Sequence, residues 1–128
     1  MLVGRRITWT VSHQAKVWRP PTDVYETDDA IVVRVEIAGM KEEDFHIQLS
    51  RRTLTISGRR DDHASGSKLA YQQMEIMYGD FQTEVYLPWS IEAEDVEATY
   101  QDGFLVVVLP KPKKRRVRVV DANQAGNC

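Results

Sequence analysis

Apolar residues occupy every second position from Ile31 to Ile37, with Val32, Arg34 and Glu36 between them. A period of two places alternate side chains on opposite faces of an extended chain, so this run is predicted to be a strand with one face on a core. Phe45, Ile47 and Leu49 alternate with His46, Gln48 and Ser50 in the same way, and Thr53-Leu54-Thr55-Ile56-Ser57 alternates again before stopping at Gly58. Ala38-Gly39 and the polar corner Lys41-Glu42-Glu43-Asp44 separate the first run from the second, and Arg51-Arg52 separates the second from the third. Connections this short favour antiparallel neighbours, the last two as a hairpin. No segment repeats apolar residues at intervals of three and four over more than about two turns, as an amphipathic helix requires.

Residues 58–70 are mostly polar and read as a long loop. Residues 71–77 and 81–87 are β-compatible runs with Tyr78-Gly79-Asp80 as a tight turn between them, and Pro88 stops the second because proline has no N–H for a ladder. Residues 91–96 form an acidic connection with room for one helical turn, and Asp102-Gly103 is a strong turn signal ahead of Phe104-Leu105-Val106-Val107-Val108-Leu109. That last run is apolar on both faces, which suits a strand covered on each side or one whose outer face meets another chain. Six to eight short strands without a long helix define an all-β chain, expected to be an immunoglobulin-like antiparallel β-sandwich. The expected division is a short arm over residues 1–20, the sandwich over 21–111 and a flexible extension over 112–128.

With 128 residues, 42% hydrophobic and 28% charged, the chain has the size and composition of one soluble domain. A formal net charge of -2 gives no strong positive field to draw nucleic acid or anionic lipid, and no apolar run is long enough to cross a bilayer. Neither nucleic acid nor membrane is therefore an expected partner. Cys128 is the sole cysteine, so no intrachain disulfide forms, and a reducing, cytoplasmic location is expected. Arg5-Arg6 suggests an export signal, but Thr8, Thr10, Ser12, His13 and Gln14 interrupt the apolar stretch that such a signal needs. His13, His46 and His63 show neither metal-ligand spacing nor a nucleophile pattern, Cys128 has no fixed base beside it, and no phosphate loop ends in Gly-Lys-Ser/Thr. No enzyme activity, metal or cofactor is expected.

Five short motifs then appear in order: Trp18-Arg19-Pro20-Pro21-Thr22-Asp23-Val24-Tyr25-Glu26-Thr27; Ile37-Ala38-Gly39-Met40-Lys41-Glu42-Glu43-Asp44-Phe45; Leu54-Thr55-Ile56-Ser57-Gly58-Arg59; Gly79-x-Phe81 with Leu87-Pro88; and Ala98-x-x-x-Asp102-Gly103-Phe104-Leu105-x-Val107-x-x-Pro110-Lys111. Together they resemble the α-crystallin domain of the small heat-shock proteins, from about Trp18 to Val120. The sequence departs from that pattern at Thr83 and Glu84, where the family usually has arginines, and at Ala38, where it commonly has proline. The arm is also short for the family.

The resemblance implies an ATP-independent chaperone that assembles with copies of itself and binds partly unfolded proteins to prevent their aggregation. Val117-Arg118-Val119 resembles the family's C-terminal anchor, whose first and third side chains point the same way into an apolar groove on a neighbouring chain. The groove is expected between residues 44–50 and 81–87, lined by Phe45, Ile47, Leu49, Val85 and Leu87. The plainer alternatives are that the valines complete the chain's own sheet or stay in solvent. The 58–70 loop resembles one that adds a strand to a partner, which implies a dimer interface of Leu69, Ala70 and Tyr71 against Val24, Tyr25 and Glu26; the alternative is a mobile surface loop. Ile7, Trp9, Val11, Val17 and Trp18 are the expected client-binding residues. The basic run Lys111-Pro112-Lys113-Lys114-Arg115-Arg116 lacks interleaved aromatics and reads as a solvated spacer. A different reading is a sandwich adaptor that binds one native partner protein.

Overall fold

The computed structural model describes residues 16–63, 69–112 and 117–125. Ile7, Trp9 and Val11, the basic residues 113–116 and Cys128 lie outside the described residues. Among the described residues seven strands form two antiparallel sheets: β1 (Thr22–Glu26), β2 (Ala30–Glu36), β3 (Phe45–Ser50), β4 (Thr53–Arg60), β5 (Gly79–Tyr86), β6 (Glu97–Gln101) and β7 (Phe104–Pro110). One sheet has the order β1-β2-β7-β6 and the other β3-β4-β5. The expected all-β sandwich is therefore the observed one.

The alternation seen in the sequence becomes burial. Ile31, Val33 and Val35 point inward from β2 beside Leu109, Val107 and Leu105 of β7, while Arg34 and Glu36 point out. From the opposite sheet Leu54 and Ile56 of β4 meet them, next to Val85 and Phe81 of β5. Burying an aliphatic side chain of this size contributes about 1.5–3 kcal/mol, so these rows hold the layers together. The outer face of β7 is only partly covered: Phe104 and Val106 are half-buried, Val108 is exposed, and the Arg34 guanidinium lies 4.4 Å from the Phe104 ring centroid.

Three local expectations are corrected. Strand β4 runs through Gly58 to Arg60. Gly58 is there because a Cβ at this point would lie 2.7 Å from both the Asp44 carbonyl oxygen and Phe81 Cζ. Tyr78-Gly79-Asp80 is no turn between two strands, since β5 begins at Gly79 and residues 71–77 join no ladder. Residues 71–77 pair with no strand among the described residues, although edge strands such as β1 have a free side. Strand β6 is not evident in the sequence, because only Tyr100 of Glu-Ala-Thr-Tyr-Gln is drawn even partly out of solvent. The acidic connection ahead of it carries the expected turn, a 3-10 helix at Ala93–Asp95.

Trp18 belongs to the sandwich rather than to a free arm. Its N–H donates to the Asp80 carbonyl (3.0 Å), its carbonyl accepts from Gln82 N–H (2.9 Å), and its indole N–H donates to the Gly79 carbonyl (3.2 Å). The indole packs on Phe81 with ring centroids 5.7 Å apart, and the next buried residue is Pro20. A short stretch of the chain thus closes the free rim of β5 in parallel register.

Candidate functional site

The sheet order decides where an apolar groove can lie. β4 sits between β3 and β5, so no groove exists between residues 44–50 and 81–87, and Val85 and Leu87 are buried in the core. The rims of β3 and β6 instead face one another across the open side of the sandwich. Between them is a cavity of about 310 Å³ lined by Phe45, Ile47, Ala98, Tyr100 and Leu105, with Glu42, Thr99 and Gln101 at its margin. Phe45 and Tyr100 close its floor with centroids 5.1 Å apart, and Leu49 packs half-buried against the same core. Tyr100 is fixed at both sides of its hydroxyl, donating to the Ile37 carbonyl (2.7 Å) and accepting from Met40 N–H (3.3 Å). Of the five groove residues expected from sequence, Phe45 and Ile47 line this trough and Leu49 lies in the strand that bounds it.

Val117 and Val119 are 86% and 93% exposed, far above what an apolar side chain has when it completes its own sheet. They lie in no ladder of the subunit.

The β1 rim is the second open feature. β1 pairs only with β2, and Val24 and Tyr25 are about half exposed. Residues 69–77 are open as well: Leu69, Tyr71, Met74, Ile76 and Met77 are each at least half exposed, and Ala70 is exposed with them. The base of this segment is tied down by Arg60. Its Nε donates to the Met77 carbonyl (3.1 Å), which Nη2 also reaches, and Nη1 donates to the Ala38 carbonyl (3.2 Å). The same guanidinium lies over the rings of Trp18 (4.8 Å) and Tyr78 (5.3 Å). Farther out, the Tyr71 hydroxyl donates to Asp62 Oδ2 (2.9 Å), and this bond to a carboxylate raises the phenol pKa above its ordinary value. Val17, beside Trp18, is exposed.

A larger cleft of about 560 Å³ is polar, lined by Lys41, Glu43, Asp44, His46, Arg59, Asp61, His63 and Asp80 among others. Arg59 donates to Asp61 (2.9 Å) and to Asp80 (3.5 Å), and the Asp61 hydrogen bond leads in raising its pKa. Among the described residues no group of three or more His, Cys, Asp or Glu is placed to hold a metal ion, and no helix is long and apolar enough to cross a membrane.

Two layers of short antiparallel strands, open at one rim and along one trough, define an α-crystallin-type sandwich. The chain belongs to the Hsp20/alpha crystallin family, which it matches over residues 23–123. It is 29% identical to small heat shock protein C2 of Rickettsia felis, over 80% of this chain and 66% of that one, and 33% identical to heat shock protein 16 of Schizosaccharomyces pombe, over 77% and 71%. It thus spans about two thirds of the length of these relatives. Among solved structures, the S. pombe heat shock protein 16.0 superposes with a TM-score of 0.68 at 31% identity, covering 81% of this chain and 96% of that one. A small heat-shock protein from Xylella fastidiosa gives 0.68 at 27% identity, covering 83% and 100%. Proteins of this family are chaperones and not enzymes.

Proposed function

We propose that this protein is a cytoplasmic, ATP-independent holdase that self-assembles and binds partly unfolded proteins through apolar surface. The observation that carries the reading is the exposed apolar segment at residues 69–77, together with a β1 rim that pairs only with β2 among the described residues and an apolar trough between β3 and β6, on a chain of this family. Exposed strand rims and apolar surface of this kind are normally covered in soluble proteins, and further copies of the same chain are the simplest cover. In this reading residues 69–71 of one copy add to Val24, Tyr25 and Glu26 of another, and Val117 and Val119 enter the β3–β6 trough of a neighbour, where alternate side chains of an extended segment point the same way. The Xylella fastidiosa relative is described as having a distinct high order structure, which supports assembly beyond a pair.

Clients are held by Ile7, Trp9, Val11 and Val17 of the arm, and by surface uncovered when subunits part. Trp18 contributes from the seam where the arm joins the sandwich. Binding the non-native state withdraws aggregation-prone chains by mass action, which requires no nucleotide. The test is light scattering of a heated, aggregating client with this protein and without ATP. Suppression at an equimolar ratio of subunits is expected; scattering equal to that of the client alone refutes the holdase. A stable stoichiometric complex with one native protein, and no suppression, supports an adaptor instead.

A further inference from the structure

Thr83 is the one buried polar residue among the described residues, and its partners hold a neighbouring guanidinium in a fixed orientation. Its side chain, 1% exposed, is joined to Thr22 by a hydroxyl–hydroxyl bond of 2.9 Å; Thr22 Oγ1 donates to the Pro20 carbonyl (2.9 Å), so it accepts from Thr83. Thr83 Oγ1 is then free to accept from Arg19 Nε, at 3.2 Å. The relay is directional, from Arg19 through two hydroxyls to a backbone carbonyl, and it fixes the guanidinium between the start of β1 and the middle of β5. One of the five guanidinium N–H groups is used. Among the described residues Arg19 meets no carboxylate, and the residue is exposed. An exposed guanidinium held through Nε, with no hydrogen bond at its two Nη atoms among the described residues, is a ready site for bidentate binding of a carboxylate.

We infer that Arg19 receives Glu75 from a second copy of this chain. Glu75 is the sole acidic residue in residues 69–78, and it lies among the exposed Met74, Ile76 and Met77. Among the described residues it accepts only from the amide of Gln73 (2.8 Å), so there both members of the pair lack an opposite charge. The inference rests on the proposed addition of the 69–77 segment to the β1 rim of a partner: apolar side chains supply the area, and Glu75 on Arg19 fixes how far the segment slides along the rim. A carboxylate brought to a pre-oriented guanidinium forms its pair without ordering a long side chain afresh, which favours it over an ordinary surface bridge.

The test uses Arg19→Glu and Glu75→Arg in the full chain, with subunit dissociation followed by sedimentation over a dilution series. Each single substitution is expected to weaken self-association about tenfold or more, as charge pairs across interfaces do. An equimolar mixture of the two variants is expected to recover wild-type association. In the mixed dimer the carboxylate introduced at position 19 faces the guanidinium introduced at position 75, and the unaltered Arg19 of one chain faces the unaltered Glu75 of the other. A contact made inside one subunit cannot be restored by mixing, so failure of the mixture refutes the pair. Glu75 is exposed and apart from the core, so the Glu75→Arg result stands even where Arg19→Glu disturbs the Thr83 relay. A Leu69→Asp/Tyr71→Asp variant separates the two levels of the argument. If it dissociates while both charge variants associate normally, the ion pair is wrong and the rim addition stands; if it too associates normally, the rim addition itself is wrong.

Discussion

Replacing Gly58 by alanine adds one methyl group where β4 lies in close contact with its own sheet, against Phe81 of β5 and the residue just ahead of β3. The new Cβ lies 2.7 Å from the Asp44 carbonyl oxygen, 2.7 Å from Phe81 Cζ and 3.0 Å from Phe81 Cε2, where carbon–carbon contacts settle near 3.5–4.0 Å. Neither neighbour yields easily. The oxygen belongs to the backbone ahead of β3, and the Phe81 ring is 1% exposed and wedged between Trp18 and Phe45 at centroid distances of 5.7 and 6.1 Å. Gly58 is absent from the residues with positive φ, so alanine suffers no backbone strain and by itself stiffens the unfolded chain by about 0.4–1 kcal/mol. Overpacking costs about 1–3 kcal/mol, and with a backbone atom in the clash the upper end applies, leaving a net loss of about 2 kcal/mol. For a chain of this size that lowers Tm by about 8 °C. Urea unfolding at one fixed subunit concentration, followed by tryptophan fluorescence, measures it, since Trp18 reports on this cluster and assembly makes the midpoint concentration-dependent. Phe81→Leu removes the clashing ring edge, so the double variant is expected to be more stable than the sum of the singles by about 1 kcal/mol. Stability at or above wild type for Gly58→Ala, or strict additivity in the pair, refutes the steric account.

Tyr100→Phe keeps the ring beneath the trough and removes its hydroxyl, leaving the Ile37 carbonyl and Met40 N–H without a side-chain partner. A loss of about 1–2 kcal/mol is expected in urea unfolding, and an unchanged midpoint refutes a structural role for that hydroxyl. Val117→Asp with Val119→Asp places charge where the trough is apolar, so sedimentation is expected to shift toward the smallest assembly while the subunit fold is unchanged; an assembly of undiminished size refutes docking of the tail in the trough.

The parts legible in the sequence are those whose side chains all obey one local rule. β2 carries Ile31, Val33 and Val35 inward in strict alternation with its outward positions, and its identity as a core strand follows directly. β6 has only Tyr100 and the small Ala98 on its inner side, which is too little signal to distinguish a strand from a loop. Residues 71–77 fail in the opposite sense: their composition favours a strand, but a strand needs a neighbour, and among the described residues they pair with none. The trough shows the same limit at the level of the site. Alternation identifies Phe45 and Ile47 as inward residues of one strand, yet which rim lies opposite depends on sheet order, a long-range property that no local window contains. Trp18 reads as part of a free arm because the residue it packs on, Phe81, is far away in sequence. Arg19 on Thr83 is invisible for the same reason, and the one available hint is a polar pair, Thr83-Glu84, at a place where the resemblance leads one to expect arginines.

The outer rims of the sandwich are not equivalent, and in the proposed assembly that difference sets the order of contacts. The β5 rim is met by the chain's own Trp18, which takes one donor and one acceptor of that strand. The β1 rim is open along its length and adjoins the Arg19 site, so a segment from a partner meets both hydrogen-bonding groups and a charge; if each copy gives a segment and receives one, the contact is isologous and closes at two subunits. The β3 and β6 rims face each other across a trough of about 310 Å³ lined in part by Phe45, Ile47 and Leu105, which in the proposed assembly would take a short tail from a different neighbour. In the proposed assembly that contact would be heterologous and would join pairs to other pairs. Because the rim and the trough lie on different strands, the proposed assembly predicts that Val117→Asp with Val119→Asp leaves dimers intact, whereas Leu69→Asp with Tyr71→Asp removes the unit that the tails would connect.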